Sequence, residues 1–161
     1  MTAAPSLLIA GCGDVGGRLA SRLLAEDWRV HGLRRAVEAL PVGVLPIAAD
    51  LQNSLLPPDW PTGSLDYLVY CAAASESSEA GYRAAYVNGL RHVLGWLREQ
   101  GQVPRRVLFV SSTGVYGQQL GEWVDEESPV QPEGFSGRIL LEAERLLLDS
   151  GLPASVIRLS G

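Results

Sequence analysis

The sequence predicts one α/β domain over residues 1–161, built on a doubly wound parallel sheet with strand order 3-2-1-4-5-6. Three observations lead there. Short apolar runs of strand length alternate with longer segments of helical periodicity. The run SLDYLVYCAAA is apolar almost without a break, as suits a strand covered on both faces of a parallel sheet. A glycine-rich turn joins the first strand to the first helix, where such sheets bind ligands.

The elements follow in order. SLLIA, ending at Gly11, reads as strand one. VGGRLASRLLAEDW places Val15, Leu19, Leu23 and Leu24 at helical spacing. RVHGL is a second strand and GVLPIAAD a third; Pro46 cannot donate to a ladder and argues for a sheet edge. After strand four, EAGYRAAYVNGLRHVLGWLREQG is a long helix closed by Gly101. RRVLFVSS is strand five, SGRILLEAERLLLDSG a helix closed by Gly151, and ASVIRLS strand six. LLPPDWPTGS and the segment from Gly117 to Gly134 are the long loops. The tryptophans Trp28, Trp60, Trp96 and Trp123 follow no stripe and read as core or rim residues.

Composition narrows the function classes. With 47% hydrophobic and 19% charged residues the chain has the balance of a globular domain. Its net charge of −5 and lack of a basic stripe argue against nucleic acid. Runs such as VLFV and LLIA are too short to span a membrane, and the N-terminus has no charged leader followed by an apolar segment. A cytoplasmic location is the default expectation. Cys12 and Cys71 have no metal spacing and form no disulfide framework. The adjacent acids in VDEES have no convergent partners and read as a solvated loop, so no metal is expected. All 13 basic residues are arginine, so no lysine is available as a Schiff base, phosphate ligand or acid–base group.

IAGCGDVGGRLA contains G-x-G-x-x-G at Gly11, Gly13 and Gly16, after a strand and opening a helix. That context predicts a dinucleotide site of the Rossmann type. The first glycine permits the turn, the second close approach to a pyrophosphate, and the third helix–strand packing. Asp14 and Val15, at the helix start, share the phosphate site, where free N–H groups meet the anion. An acidic residue at the end of strand two would bond the ribose 2′-hydroxyl of NAD. Arg34 and Arg35 stand there instead, and guanidinium forks match a phosphate; NADP is therefore favoured, with NAD the alternative. His31 reads as a packing or surface residue.

These residues resemble the extended and atypical branches of the short-chain dehydrogenase/reductase superfamily, which include nucleotide-sugar epimerases and dehydratases. The resemblance covers essentially the whole chain. GCGDVGGRLA is similar to the atypical phosphate loop. AADL resembles the segment that meets the adenine, which implicates Asp50 and Leu51. LVYCAAAS resembles the strand-four segment beside the adenine-side ribose, implicating Cys71, Ala72 and Ala73. YVNGLRHVL resembles the helix with a structural asparagine, Asn88 here. VLFVSSTGVYG resembles the strand-five motif whose second serine is catalytic, so the resemblance implies Ser111 beside the cofactor and Ser112 in the catalytic role.

The family's tyrosine–lysine pair is not found. Aligned on LEAERLL, Ser136 takes the tyrosine position and Leu140 that of the lysine. A serine has no usable pKa near neutrality, and no tyrosine follows Tyr116. Tyr116, just past strand five, is the remaining candidate acid, with Arg138 a possible neighbouring cation or else paired with Glu142. Extended members continue beyond RLSG into a substrate domain that this chain would lack, so the small-molecule substrate is left open. The resemblance also implies a homodimer through the helices after strands four and five, Glu79 to Gln100 and Ser136 to Asp149. Two readings stand: an NADP-preferring oxidoreductase- or epimerase-like protein with a non-standard or impaired site, or a non-catalytic dinucleotide-binding or redox-sensing module. Ser136 and Leu140 in place of the catalytic pair motivate the second; Cys12 and Cys71 close neighbouring strands, but small residues lining a cofactor pocket are the plainer explanation for them.

Overall fold

Six parallel strands lie in the order β3-β2-β1-β4-β5-β6 in a computed structural model that describes residues 2–160. Met1 and Gly161, which the expected domain includes, lie outside the described residues. The strands are β1 (Ser6–Ala10), β2 (Arg29–Arg34), β3 (Leu45–Ala48), β4 (Tyr67–Tyr70), β5 (Arg106–Ser112) and β6 (Ala154–Leu159). The helices are α1 (Asp14–Leu24), α2 (Glu79–Tyr82), α3 (Gly89–Glu99) and α4 (Phe135–Leu148). The strand order is the predicted one. Pro46 is indeed on an edge strand, opposite Gly32 of β2.

Strand β4 is much shorter than the apolar run that predicted it. Upstream, the Asp66 carboxylate accepts from the Ser6 amide at 2.9 Å and the Ser6 hydroxyl at 3.0 Å, turning the chain before the ladder begins. Downstream, the Cys71 amide still donates to Ala10 O at 2.8 Å, after which the chain leaves the sheet. The small residues that follow form a wall of the site rather than a strand.

The predicted long helix exists, with a widened turn inside it. Arg83–Asn88 is π-helical and joins α2 to α3. The cause is visible in the core. The buried Tyr70 hydroxyl donates to the carbonyl of Ala85 and occupies space beside Gly89, where a β-carbon would lie 2.2 Å from it. A side chain inserted into the helical ladder opens it in this way.

The sheet's two faces differ. On one, α3 and α4 pack Leu90, Trp96, Leu97, Ile139 and Leu147 against Leu68, Tyr70 and Phe109. On the other, α1 packs Ala20 against Leu7, Ile9, Val30 and Val69. β5 alternates accordingly, with Val107, Phe109 and Ser111 buried and Leu108, Val110 and Ser112 partly exposed. Trp60 and Trp96 stack edge-on at 5.4 Å inside the first face, and Trp28 packs on Tyr67 at the rim of the second. Trp123 is neither core nor rim, being 99% exposed on the loop before α4. No helix among the described residues is long and apolar enough to cross a membrane.

Asp66 ties the start of β1 to the start of β4, and the donors from Ser6 hold its carboxyl below the usual range. A depressed folded pKa means that this stabilisation is present above the ordinary carboxylate range and lost as pH falls through the folded value. Asp66→Asn is expected to cost about 1 kcal/mol at neutral pH and less at strongly acid pH, which urea denaturation of the two proteins in parallel would show.

Candidate dinucleotide site

The turn after β1 shows why each glycine of the motif is there. Gly11 has φ +84°, and a β-carbon on it would lie 2.5 Å from Ala72 Cα. It therefore permits both the turn and the close approach of two backbones. A β-carbon on Gly16 would lie 2.8 Å from Ile9 Cγ2, so this glycine lets α1 sit down on β1. Gly13 differs: a β-carbon there would meet nothing within 4 Å. No packing requires that glycine, and the space in front of it is open. Gly13 is also the N-cap residue of α1, and no side chain caps the helix, so its first N–H groups and the positive end of its dipole face that space.

The space belongs to a cavity of about 570 Å³ along the carboxyl edge of the sheet. It brings together most of the residues singled out in the sequence. Gly11, Gly13, Asp14 and Val15 line its centre; Gly16 supports them from inside the helix packing. Arg34, Arg35, Asp50 and Leu51 line one end, and Cys71, Ala72 and Ala73 the wall beyond β4. Ser111 and Ser112 lie at the far end with Leu140 of α4. Arg34 donates to Cys12 O at 3.3 Å, fixing its guanidinium against the phosphate turn, while Arg35 is exposed. Asp50 is exposed too, and one of its carboxylate oxygens accepts from the Gln52 amide at 2.9 Å.

Ser111 and Ser112 have different surroundings. The Ser111 hydroxyl is buried and donates to Glu144 Oε1 at 2.7 Å. Ser112 Oγ accepts from the Gly114 amide at 3.1 Å and caps the short turn Thr113–Val115, which leaves its own proton free. Tyr116 does not line the cavity. Its hydroxyl donates to Asp125 O at 2.8 Å and accepts from Arg158 at 2.9 Å, and the Arg158 guanidinium lies 5.0 Å above its ring. Arg138 approaches neither Tyr116 nor Glu142; it donates to Glu133 O, and Glu142 pairs with Arg83 at 3.0 Å. Ser136 lies outside the cavity lining, and Asn88 ends the π-helical turn. VDEES folds as a turn in which Asp125 accepts from the Glu127 amide and the Ser128 hydroxyl. No cluster of metal-ligating side chains occurs among the described residues.

Sequence reasoning missed two things. One is the buried ion pair beneath the site: Glu144, 2% exposed, accepts from Arg158 through both carboxylate oxygens, at 3.0 and 2.7 Å. These bonds raise the Arg158 pKa still further above its ordinary value. A glutamate among packing residues of a helix gives little warning that it faces an arginine on a later strand. The other is Tyr86, which the π-helical turn carries into the cavity lining beside Ala85. The cysteines are quiet. Burial pushes both thiols up; Arg34 opposes this at Cys12, as does the Gly16 backbone at Cys71.

A strand–glycine turn–helix cradle at the carboxyl edge of a 3-2-1-4-5-6 sheet defines a Rossmann-type dinucleotide-binding domain. Residues 7–149 match the NAD dependent epimerase/dehydratase family, and the chain belongs to that family. Solved structures agree. A Methylobacillus flagellatus protein assigned to the NAD-dependent epimerase/dehydratases is 39% identical with a TM-score of 0.76, the match covering 99% of this chain and 55% of that one. A UDP-galactose 4-epimerase shares 23% identity at a TM-score of 0.77, covering 95% and 55%. The Bordetella bronchiseptica enzyme WbmG, solved in complex with NAD, shares 21% at 0.78, covering 97% and 53%. At those two identities the likeness is one of fold. The chain spans about half the length of these proteins. No curated protein matches its sequence.

The ion pair under the site makes a testable contrast. Removing one partner of a buried pair leaves the other charge uncompensated, so Arg158→Ala is expected to cost about 3 kcal/mol or more. The exposed Arg83–Glu142 pair has a water-rich alternative, and Arg83→Ala is expected to cost less than about 1 kcal/mol. Chemical denaturation of the two variants gives the comparison directly.

Proposed function

We propose that this chain binds a nicotinamide dinucleotide along the cavity edge, prefers NADP, and acts in an oxidoreductase- or epimerase-like reaction with a non-standard site. The observation that supports it most is Gly13, a glycine that no packing needs, set before an uncapped helix N-terminus. The residues present suit the dinucleotide: α1 would take the pyrophosphate, Asp50 and Leu51 the adenine, Arg34 and Arg35 a 2′-phosphate, and the wall from Cys71 to Ala73 the adjoining ribose. The dinucleotide would supply hydride chemistry at the far end. There Ser112 offers a free hydroxyl proton to a ligand oxygen.

Leu140 gives weight to a second reading, a non-catalytic binding or redox-sensing module. It presents an apolar surface to the cavity where the resemblance places a lysine. On either reading the small-molecule substrate would enter over β5. A homodimer through Glu79 to Gln100 and Ser136 to Asp149 stays part of the proposal; Arg91, Arg98 and Arg145 are exposed on these helices, so the contact would be polar.

Titration with NADPH and NADH, followed by tryptophan quenching and melting temperature, tests the reading. A ligand at 100 times its Kd adds about 2.7 kcal/mol of stability. NADPH is expected to bind more tightly, and replacing both Arg34 and Arg35 by Ala to erase about tenfold or more of that advantage. Equal affinities would remove the preference, and tighter binding of NADH would assign it to NAD.

Gly13→Ala separates binding from folding. Its methyl group enters open space at an ordinary φ of −88°, so the melting temperature of the free protein should stay within a few degrees. Dinucleotide binding should be lost, because the methyl stands where a pyrophosphate would come. Retained binding would show that the phosphate lies elsewhere.

A further inference from the structure

We propose that the Tyr86 hydroxyl is a hydrogen-bond donor to the nicotinamide-nucleotide half of the bound dinucleotide, an assignment that rests on the dinucleotide reading above. Of the five tyrosines it alone lines the cavity. Its position is built rather than incidental. Tyr70 opens the helix by bonding the Ala85 carbonyl, and the resulting π-helical turn carries the next residue, Tyr86. Such widened turns are frequently found at functional sites. The ring is held on two sides, tilted against Tyr82 with centroids 5.2 Å apart and edge-on to Phe109 at 6.5 Å.

The hydroxyl's surroundings set its polarity. The Ala74 backbone N–H lowers the Tyr86 pKa, and the hydroxyl donates no hydrogen bond to any described residue. Burial outweighs that amide and keeps the group in its neutral, proton-bearing form. The group is therefore a donor waiting for an acceptor. Along the sheet edge Arg34 and Asp50 lie to one side of the phosphate turn, with Ser112 and Tyr86 to the other. A dinucleotide whose adenylate half is at β2 and β3 would extend its second nucleotide toward β4 and β5. The ribose hydroxyls and carboxamide carbonyl of that half are acceptors of the kind required.

Two probes, NADH and ADP, separate the halves of the ligand. Tyr86→Phe removes one oxygen and keeps the ring packing. It is expected to raise the Kd for NADH about threefold to tenfold, the loss of one hydrogen bond, and to leave the Kd for ADP unchanged. Tyr82→Phe, whose ring touches Tyr86 but does not line the cavity, should change neither. Melting temperatures of the free variants report the fold independently. Unchanged NADH affinity in Tyr86→Phe overturns the assignment, as does a parallel loss of ADP affinity, which would mean a distorted cavity. If the unaltered protein binds ADP and neither NADH nor NADPH, this assignment fails alone; if it binds none of the three, the dinucleotide reading fails with it.

Discussion

The contact on which the site depends is that of two backbones, Gly11 against Ala72, at a separation that excludes any side chain on Gly11. It brings the turn after β1 down onto the chain leaving β4. Both Gly11 and Cys12 donate to the carbonyl of Leu33, at 3.0 and 2.9 Å, so the same turn is also tied to β2. Three strand ends are thereby fixed around one loop. The direction of α1 follows, because Gly16 lets the helix lie on Ile9, and the position of Arg34 follows from its bond to Cys12 O. The adenylate end of the cavity is thus set by backbone packing, with side chains added to a rigid frame.

The opposite end is arranged by buried and half-buried polar side chains. Tyr70, Ser111, Glu144 and Arg158 each join elements distant in sequence: β4 to the helix that follows it, β5 to α4, and α4 to β6. Buried polar groups of this kind are stable only when fully satisfied, and here each one has its partners. Arg158 extends the chain of bonds through Tyr116 to Asp125, so the loop before α4 is moored to the sheet at its base while Trp123 stands out in solvent. This explains why Tyr116 is unsuited to proton transfer in the cavity: its oxygen already serves as both donor and acceptor in a structural link.

Much of this architecture is legible in the sequence, and the boundary of what is legible has a physical cause. Alternating periodicity gave the strands, the helices and their order, since apolar patterning reports burial directly. The glycine spacing gave the phosphate turn, since packing demands Gly11 and Gly16 while Gly13 leaves the space before the helix open. Arg34 and Arg35 stand out by their place at a strand end, Asp50, Ser111 and Ser112 by the family resemblance, and the cavity does gather them. What escaped depends on contacts across the fold. Tyr86 sits in an unremarkable helical pattern, and only the pressure of Tyr70 on Gly89 turns it toward the cavity. Glu144 reads as a helix-surface acid until its strand partner is known. β4 was read too long because Ala72 and Ala73 are as apolar as a strand requires, although they line a ligand cavity.

The charges around the far end bear on what chemistry it can support. A tyrosine becomes a base near neutral pH only when a cation stabilises its phenolate. The chain has no lysine, and its arginines near this end are committed: Arg158 to Glu144, Arg83 to Glu142, Arg138 to the Glu133 carbonyl. The wall of α4 offers Leu140 instead. Arg34 and Arg35 line the opposite, adenylate end. Among the described residues, then, hydroxyl groups at this end stand without a facing cation and remain protonated. Such groups donate hydrogen bonds to oxygen; they do not abstract protons from it. Hydroxyl groups of this polarity suit holding a carbonyl or a ribose oxygen in place.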